Sequence, residues 1–103
     1  MTMQEVKKLF RKSNMHDYEL QDIIVDYKNA TVTMKWLTNT RVAIPPKPQY
    51  ICIPHIIEFS IECKKPWGGG IYVAASDVEE RDGECRIEIQ LNSGDRLKIA
   101  FMD

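Results

Sequence analysis

From Ile56 to Phe101 apolar and polar residues alternate with few breaks, the pattern of strands that bury one face and wet the other. Ile57, Phe59, Ile61 and Cys63 fall on one side of the first such segment, and Ile56, Glu58, Ser60 and Glu62 on the other. Cys85, Ile87, Ile89 and Leu91 repeat the rhythm against Arg86, Glu88 and Gln90, and Leu97, Ile99 and Phe101 repeat it once more. Lys64, Lys65 and Pro66 end the first strand and Gly68, Gly69 and Gly70 supply a bend. Asp82-Gly83 and Ser93-Gly94 are hairpin turns. Between them, Ile71 to Glu80 reads as a strand whose alternation is interrupted at Ala74, Ala75 and Ser76, the mark of a bulge or an edge.

The first half of the chain changes period twice. Thr2 and Glu5 form a capping-box pattern, and Met3, Val6, Leu9 and Phe10 follow at helical spacing, which predicts an amphipathic helix over residues 3–13. Ile23, Val25 and Tyr27 then alternate with Ile24, Asp26 and Lys28, and after Asn29-Ala30 the chain returns through Val32, Met34 and Trp36, a hairpin with Tyr27 and Trp36 on core positions. Arg41 to Ile44 is a further strand candidate. Pro45, Pro46 and Pro48 remove backbone donors, so that stretch is an edge or a rigid surface loop. The expected fold is α+β: a short N-terminal helix followed by a mainly antiparallel, strongly twisted sheet of about six strands, in one domain spanning residues 1–103.

Composition removes several classes of function. With 14 basic and 15 acidic residues there is no global field to draw the chain to nucleic acid or to an anionic membrane surface. No apolar run approaches the roughly 18 residues of a membrane span, and the N-terminus lacks a secretory signal, so a soluble, cytoplasmic protein is expected. Cys52, Cys63 and Cys85 form no disulfide framework and are expected to be reduced thiols packed in the core.

Candidate chemistry is sparse. Cys52 and His55 are spaced as a single zinc knuckle, with Cys63 and either Cys85 or His16 as further ligands, but strong zinc signatures need two knuckles and packed thiols account for the same residues. A Cys-His nucleophile lacks the polarised setting a thiolate needs. His16-Asp17 has the makings of a proton-transfer pair, although loop residues of this type more often bond the backbone. Gly68-Gly69-Gly70 lacks the Lys-Ser/Thr of a phosphate loop and serves better as a turn that lets Trp67 pack over the sheet. Lys7, Lys8, Arg11 and Lys12 read as a solvated helix face rather than a phosphate site. No catalytic residue, cofactor or metal is expected, and the chain is read as no enzyme.

Charge is asymmetric in one place. Asp77, Glu79, Glu80, Asp82 and Glu84 crowd a short stretch against Arg81 alone, and Glu58 and Glu62 lie about 13 Å apart on the polar side of one strand. If these surfaces adjoin, they mimic a phosphate backbone and can steer a basic partner into place.

Three stretches, HDYELQDIIVDYKNATVTMKW, KPWGGGIYV and RIEIQLNSGDRLKI, together resemble a family of small bacterial immunity proteins of polymorphic and contact-dependent growth-inhibition toxin systems. The resemblance covers about half the chain and is carried by His16-Asp17 leading into a hairpin, by Pro66-Trp67-Gly68, and by a closing hairpin through Ser93-Gly94. It implies a cytoplasmic protein that covers the active site of a cognate toxin domain, with Trp67 and the glycines structural and no catalytic residue. The partner-binding residues expected on this reading are Glu58, Glu62, Asp77, Glu79, Glu80, Asp82 and Glu84, with Trp67 as the aromatic beside them, and the partner is a protein rather than nucleic acid or membrane. A nuclease toxin, with its basic cleft, suits an acidic plug. The second reading is a self-associating accessory module that forms a homodimer by adding the strand Ile71 to Glu80 to another sheet. The third is a small metal protein built on Cys52, His55 and Cys63.

Overall fold

A computed structural model of the chain describes residues 2–64 and 71–102. It is α+β and mostly sheet. Helix α1 (Met3–Phe10) runs into a 3₁₀ turn (Arg11–Ser13), and seven strands follow among the described residues: β1 (Glu19–Asp26), β2 (Thr31–Leu37), β3 (Pro48–Ile53), β4 (Ile56–Ile61), β5 (Val73–Arg81), β6 (Glu84–Leu91) and β7 (Arg96–Met102). They form two antiparallel sheets, one ordered β1-β2-β3 and the other β4-β7-β6-β5. Among the described residues no helix is long and apolar enough to cross a membrane.

The two sheets are stitched at both seams. β3 passes through Pro54 and His55, whose φ is 57°, and emerges as β4 in the other sheet. At that corner Ile56 N donates to Ala30 O at 2.9 Å and Met102 N to His55 O at 3.0 Å. At the opposite corner Leu20 N donates to Ile71 O at 2.8 Å and Val73 N to Tyr18 O at 2.9 Å. One core fills the space between, made of Val32, Met34, Trp36, Ile51 and Ile53 from the first sheet and Cys85, Ile87, Ile89, Leu97, Ile99 and Phe101 from the second. The helix lies over it with Val6 and Phe10, one turn apart on its buried face. Its capping box is formed as expected, Thr2 Oγ1 accepting from Glu5 N and Glu5 Oε1 accepting from Thr2 N.

Alternation on β6 and β7 is as the sequence predicts, as is the irregularity in β5, whose register shifts between Val73 and Ala75. The described strands number seven in two antiparallel sheets, against about six expected, and the proline stretch expected to be an edge or a loop leads into the edge strand β3 (Pro48–Ile53), with Pro48 at its first residue, where its missing donor is tolerated. Several placements are corrected. The strand candidate Arg41 to Ile44 is a turn held by Asn39 Oδ1, which accepts from the amides of Arg41 and Val42. Tyr27 is 94% exposed, because the hairpin turns from Tyr27 to Ala30.

In β4 a bulge at Ile57 places Ile56 opposite Phe101 and Glu58 opposite Ala100, so Ile56 rather than Ile57 joins Phe59 on the inner side. Cys63 lies beyond that strand and Cys52 alternates with the buried Ile51 and Ile53, so both thiols are exposed and only Cys85 is a core thiol. Burial raises the Cys85 thiol pKa and keeps it in the inert protonated form.

Gly94 has φ of 92°, and a Cβ there would meet nothing within 4 Å. Gly94→Ala is therefore expected to cost about 1 kcal/mol through backbone strain alone, measured by urea denaturation, with no change in the near-UV spectrum of the folded state.

Candidate functional site

The outer face of the four-stranded sheet gathers a dense group of charged side chains. Register sets their order. Glu79 on β5 pairs with Arg86 on β6, which pairs with Ala100 on β7, which pairs with Glu58 on β4. The next row runs Asp77, Glu88, Lys98 and Ser60. Because Ala100 has almost no side chain, the grid sags there into an open depression of about 360 Å3, rimmed by Glu58, Asp77, Glu79, Arg86, Glu88 and Lys98.

Most of these charges are cross-linked. Arg86 reaches Glu84 at 2.9 Å and, over Ala100, Glu58 at 3.5 Å; Arg81 holds Glu79 at 2.9 Å and Arg96 lies 3.5 Å from Glu88. Such exposed pairs contribute little to stability but fix where each carboxylate stands. Asp77 and Glu88 are directly opposed like charges, an arrangement that costs stability in a sheet. Asp77 relieves part of that cost by turning to the strand edge, where Oδ1 accepts from Val78 N at 2.8 Å.

The structure divides the acids expected to act together. Glu58, Glu62, Asp77, Glu79 and Glu84 are on or beside this face, Glu62 lying past the end of β4 in an ion pair of 2.6 Å with Lys64. That hydrogen bond holds the Glu62 carboxyl below the usual carboxylate range. Asp82 is exposed at the tip of the β5–β6 hairpin with φ of 53°. Trp67 lies outside the described residues.

Glu80 is displaced from the group. It pairs in register with the buried Cys85, so its side chain leaves the opposite face of β5 from Glu79 and meets the helix. There it forms ion pairs with Lys7 and, at 2.9 Å, with Arg11. The basic cluster of α1 is thus only partly a solvated face, because Lys7 is 2% exposed. The hydrogen bond from Lys7 is the largest cause of a lowered Glu80 pKa, followed by the charges of Lys7 and Arg11. A depressed folded-state pKa makes this contribution to stability fully present above the ordinary value of 4.5 and removes it as pH falls through the lowered one. Glu80→Gln is expected to lower the melting temperature by several degrees at pH 7, leaving the buried Lys7 ammonium with a weaker acceptor. The difference from wild type should shrink toward pH 3, which thermal melts across that range would show.

The edge of β5, which the self-association reading needs, is occupied. Ser13 Oγ accepts from Ser76 N at 3.1 Å, Ser76 Oγ donates to Phe10 O at 2.8 Å, and Asp77 covers Val78 N. Among the described residues, no three His, Cys, Asp or Glu side chains gather in a way that holds a metal ion. Cys52 faces outward from β3 and His55 sits at the strand kink, while His16 Nδ1 lies 3.3 Å from Asp17 Oδ2 in an exposed turn.

Glu88, Lys98 and Ala100 were not singled out from the sequence. The alternation that placed Arg86, Glu88 and Gln90 outward was legible, but the register that sets them beside Glu58 and Ala100 was not. Against protein-family models, curated proteins and solved structures, the chain matches none.

Proposed function

We propose that the chain is an immunity protein that binds a cognate bacterial toxin domain and covers its active site with the outer face of the β4-β7-β6-β5 sheet. The observation that carries this reading is the depression over Ala100, where Glu58, Asp77, Glu79 and Glu88 surround Arg86 and Lys98 on four hydrogen-bonded strands. Acids outnumber bases around it, and four paired strands form the backbone beneath. A surface of this kind suits a basic protein cleft such as that of a nuclease, with long-range charge setting the rate of encounter and patterned ion pairs setting register. The contacts proposed are Glu58, Asp77, Glu79, Glu84 and Glu88, with Asp82 at the hairpin tip and Glu62 at the far margin. Glu80, bonded to the helix, is left out.

Inhibition on this model is steric and electrostatic and needs no chemistry from the chain. Co-expression with the proposed toxin partner, sought as a C-terminal domain encoded immediately upstream, tests it. Restored growth of cells that the toxin otherwise arrests is the expected result; continued arrest, with both proteins present and folded, rejects the immunity role. The self-associating alternative is less well supported, since the helix end already occupies the β5 edge.

A further inference from the structure

The edge of β1 differs from that of β5. Leu20 at its start is bonded across the seam, but among the described residues no backbone group bonds the side of Gln21–Asp26 that faces away from β2. That segment also exposes apolar side chains on both faces, Ile24 at 58% and Val25 at 46%. An open edge with apolar side chains invites another strand, and charge decides which. Asp22, Ile24 and Asp26 stand on one face, opposite Lys35, Thr33 and Thr31 of β2.

A second copy of the chain is a poor occupant. The antiparallel register that pairs all of Asp22–Asp26 with itself places Asp22 opposite Asp26 twice, and like charges directly opposed destabilise a ladder. Among the described residues Asp22 forms no ion pair, although Lys35 stands opposite it on β2, and Asp26, whose carboxylate accepts from Asn29 N at 3.1 Å and Asn29 Nδ2 at 2.8 Å, has no cationic partner. Those hydrogen bonds hold the Asp26 carboxyl below the usual carboxylate range, so it keeps its charge.

We infer that the edge of β1 left open among the described residues accepts, by strand addition, an extended protein segment with lysine or arginine at two positions four residues apart and an apolar residue midway. In an added strand the two cations stand opposite Asp22 and Asp26, and the apolar residue stands opposite Ile24. Backbone hydrogen bonds supply attraction for any sequence, and the two aspartates supply the selection. The inference rests on β1 alone and is independent of the toxin-binding reading, which uses the other sheet.

The test titrates the full-length, 15N-labelled chain with a blocked pentapeptide, Lys-Thr-Val-Thr-Lys, and with its counterpart that has glutamate at both ends. Saturable amide shifts confined to β1 and its neighbour β2 are expected with the lysine peptide and none with the glutamate peptide. Asp22→Lys should weaken the lysine peptide about fivefold. Equal shifts from both peptides, shifts confined to the β4-β7-β6-β5 face, or no shifts at all would overturn the inference. So would a wild-type dimer with slowed hydrogen exchange along β1, which would make a second copy the occupant.

Discussion

On the proposed toxin-binding reading, replacing Glu58, Glu79 and Glu88 together by lysine is expected to slow association with the toxin domain by about two orders of magnitude at low ionic strength. The three carboxylates rim one depression and come from three different strands, so the substitution turns the sign of the whole rim rather than one contact. The fold should survive, because the ion pairs removed, with Arg86, Arg81 and Arg96, are exposed and exposed pairs contribute little. Stopped-flow mixing at two salt concentrations separates the causes. The wild-type rate should fall steeply with salt while the variant rate falls little or rises. A variant that associates as fast as wild type at low salt would remove this face from the interface. Glu80→Lys is a poor substitute for this test, since it sets a cation against Lys7 and Arg11 and perturbs the helix.

The largest effect on stability is expected at Trp36. Its ring is fully buried, lies edge-on to Phe10 with centroids 6.5 Å apart, and joins the helix to the first sheet. Trp36→Ala should cost about 3–5 kcal/mol, from lost transfer energy and the cavity left behind, a large share of the roughly 5–15 kcal/mol that holds a domain of this kind together. Trp36→Phe should cost much less than its change in volume suggests. The indole Nε1 finds no acceptor among the described residues, and removing a buried unsatisfied donor offsets part of the lost packing. Urea denaturation of both variants checks the pair. A Trp36→Ala cost below about 1 kcal/mol would contradict the position of this side chain at the centre of the core.

The fold was legible wherever local pattern and tertiary burial agree. Leu97, Ile99 and Phe101 alternate because one side of β7 is core, and the Asp82-Gly83 turn follows from residues that tolerate positive φ, here 53° and 77°. The legible part ended where one residue shifts a register. The bulge at Ile57 exchanges the roles of Ile56 and Ile57, and no periodicity reveals it in advance. β3 was legible only as an edge or a loop, because Pro45, Pro46 and Pro48 weaken a strand reading, although Tyr50, Ile51, Cys52 and Ile53 alternate in burial once the edge is formed.

The candidate site was legible as individual acids but not as a face. Glu79 and Glu80 are neighbours in sequence and therefore point to opposite sides of β5, so one joins the outer grid and the other closes on Lys7. Strand order brings Glu58 beside Arg86 across Ala100, and sequence alone does not supply that order. The long-range pairing of Glu80 with the helix also explains why a basic cluster read as solvated contains a buried lysine.

The most direct measurement is an isothermal titration of the purified chain against the proposed toxin partner, sought as a C-terminal domain encoded immediately upstream and used in an inactive form, alongside the Glu58, Glu79 and Glu88 lysine variant. The account predicts one-to-one binding at nanomolar affinity or tighter for the wild type and a large loss for the variant. Absence of wild-type binding, or binding undiminished by reversal of the three charges, would contradict the claim that this sheet face is the inhibitory surface.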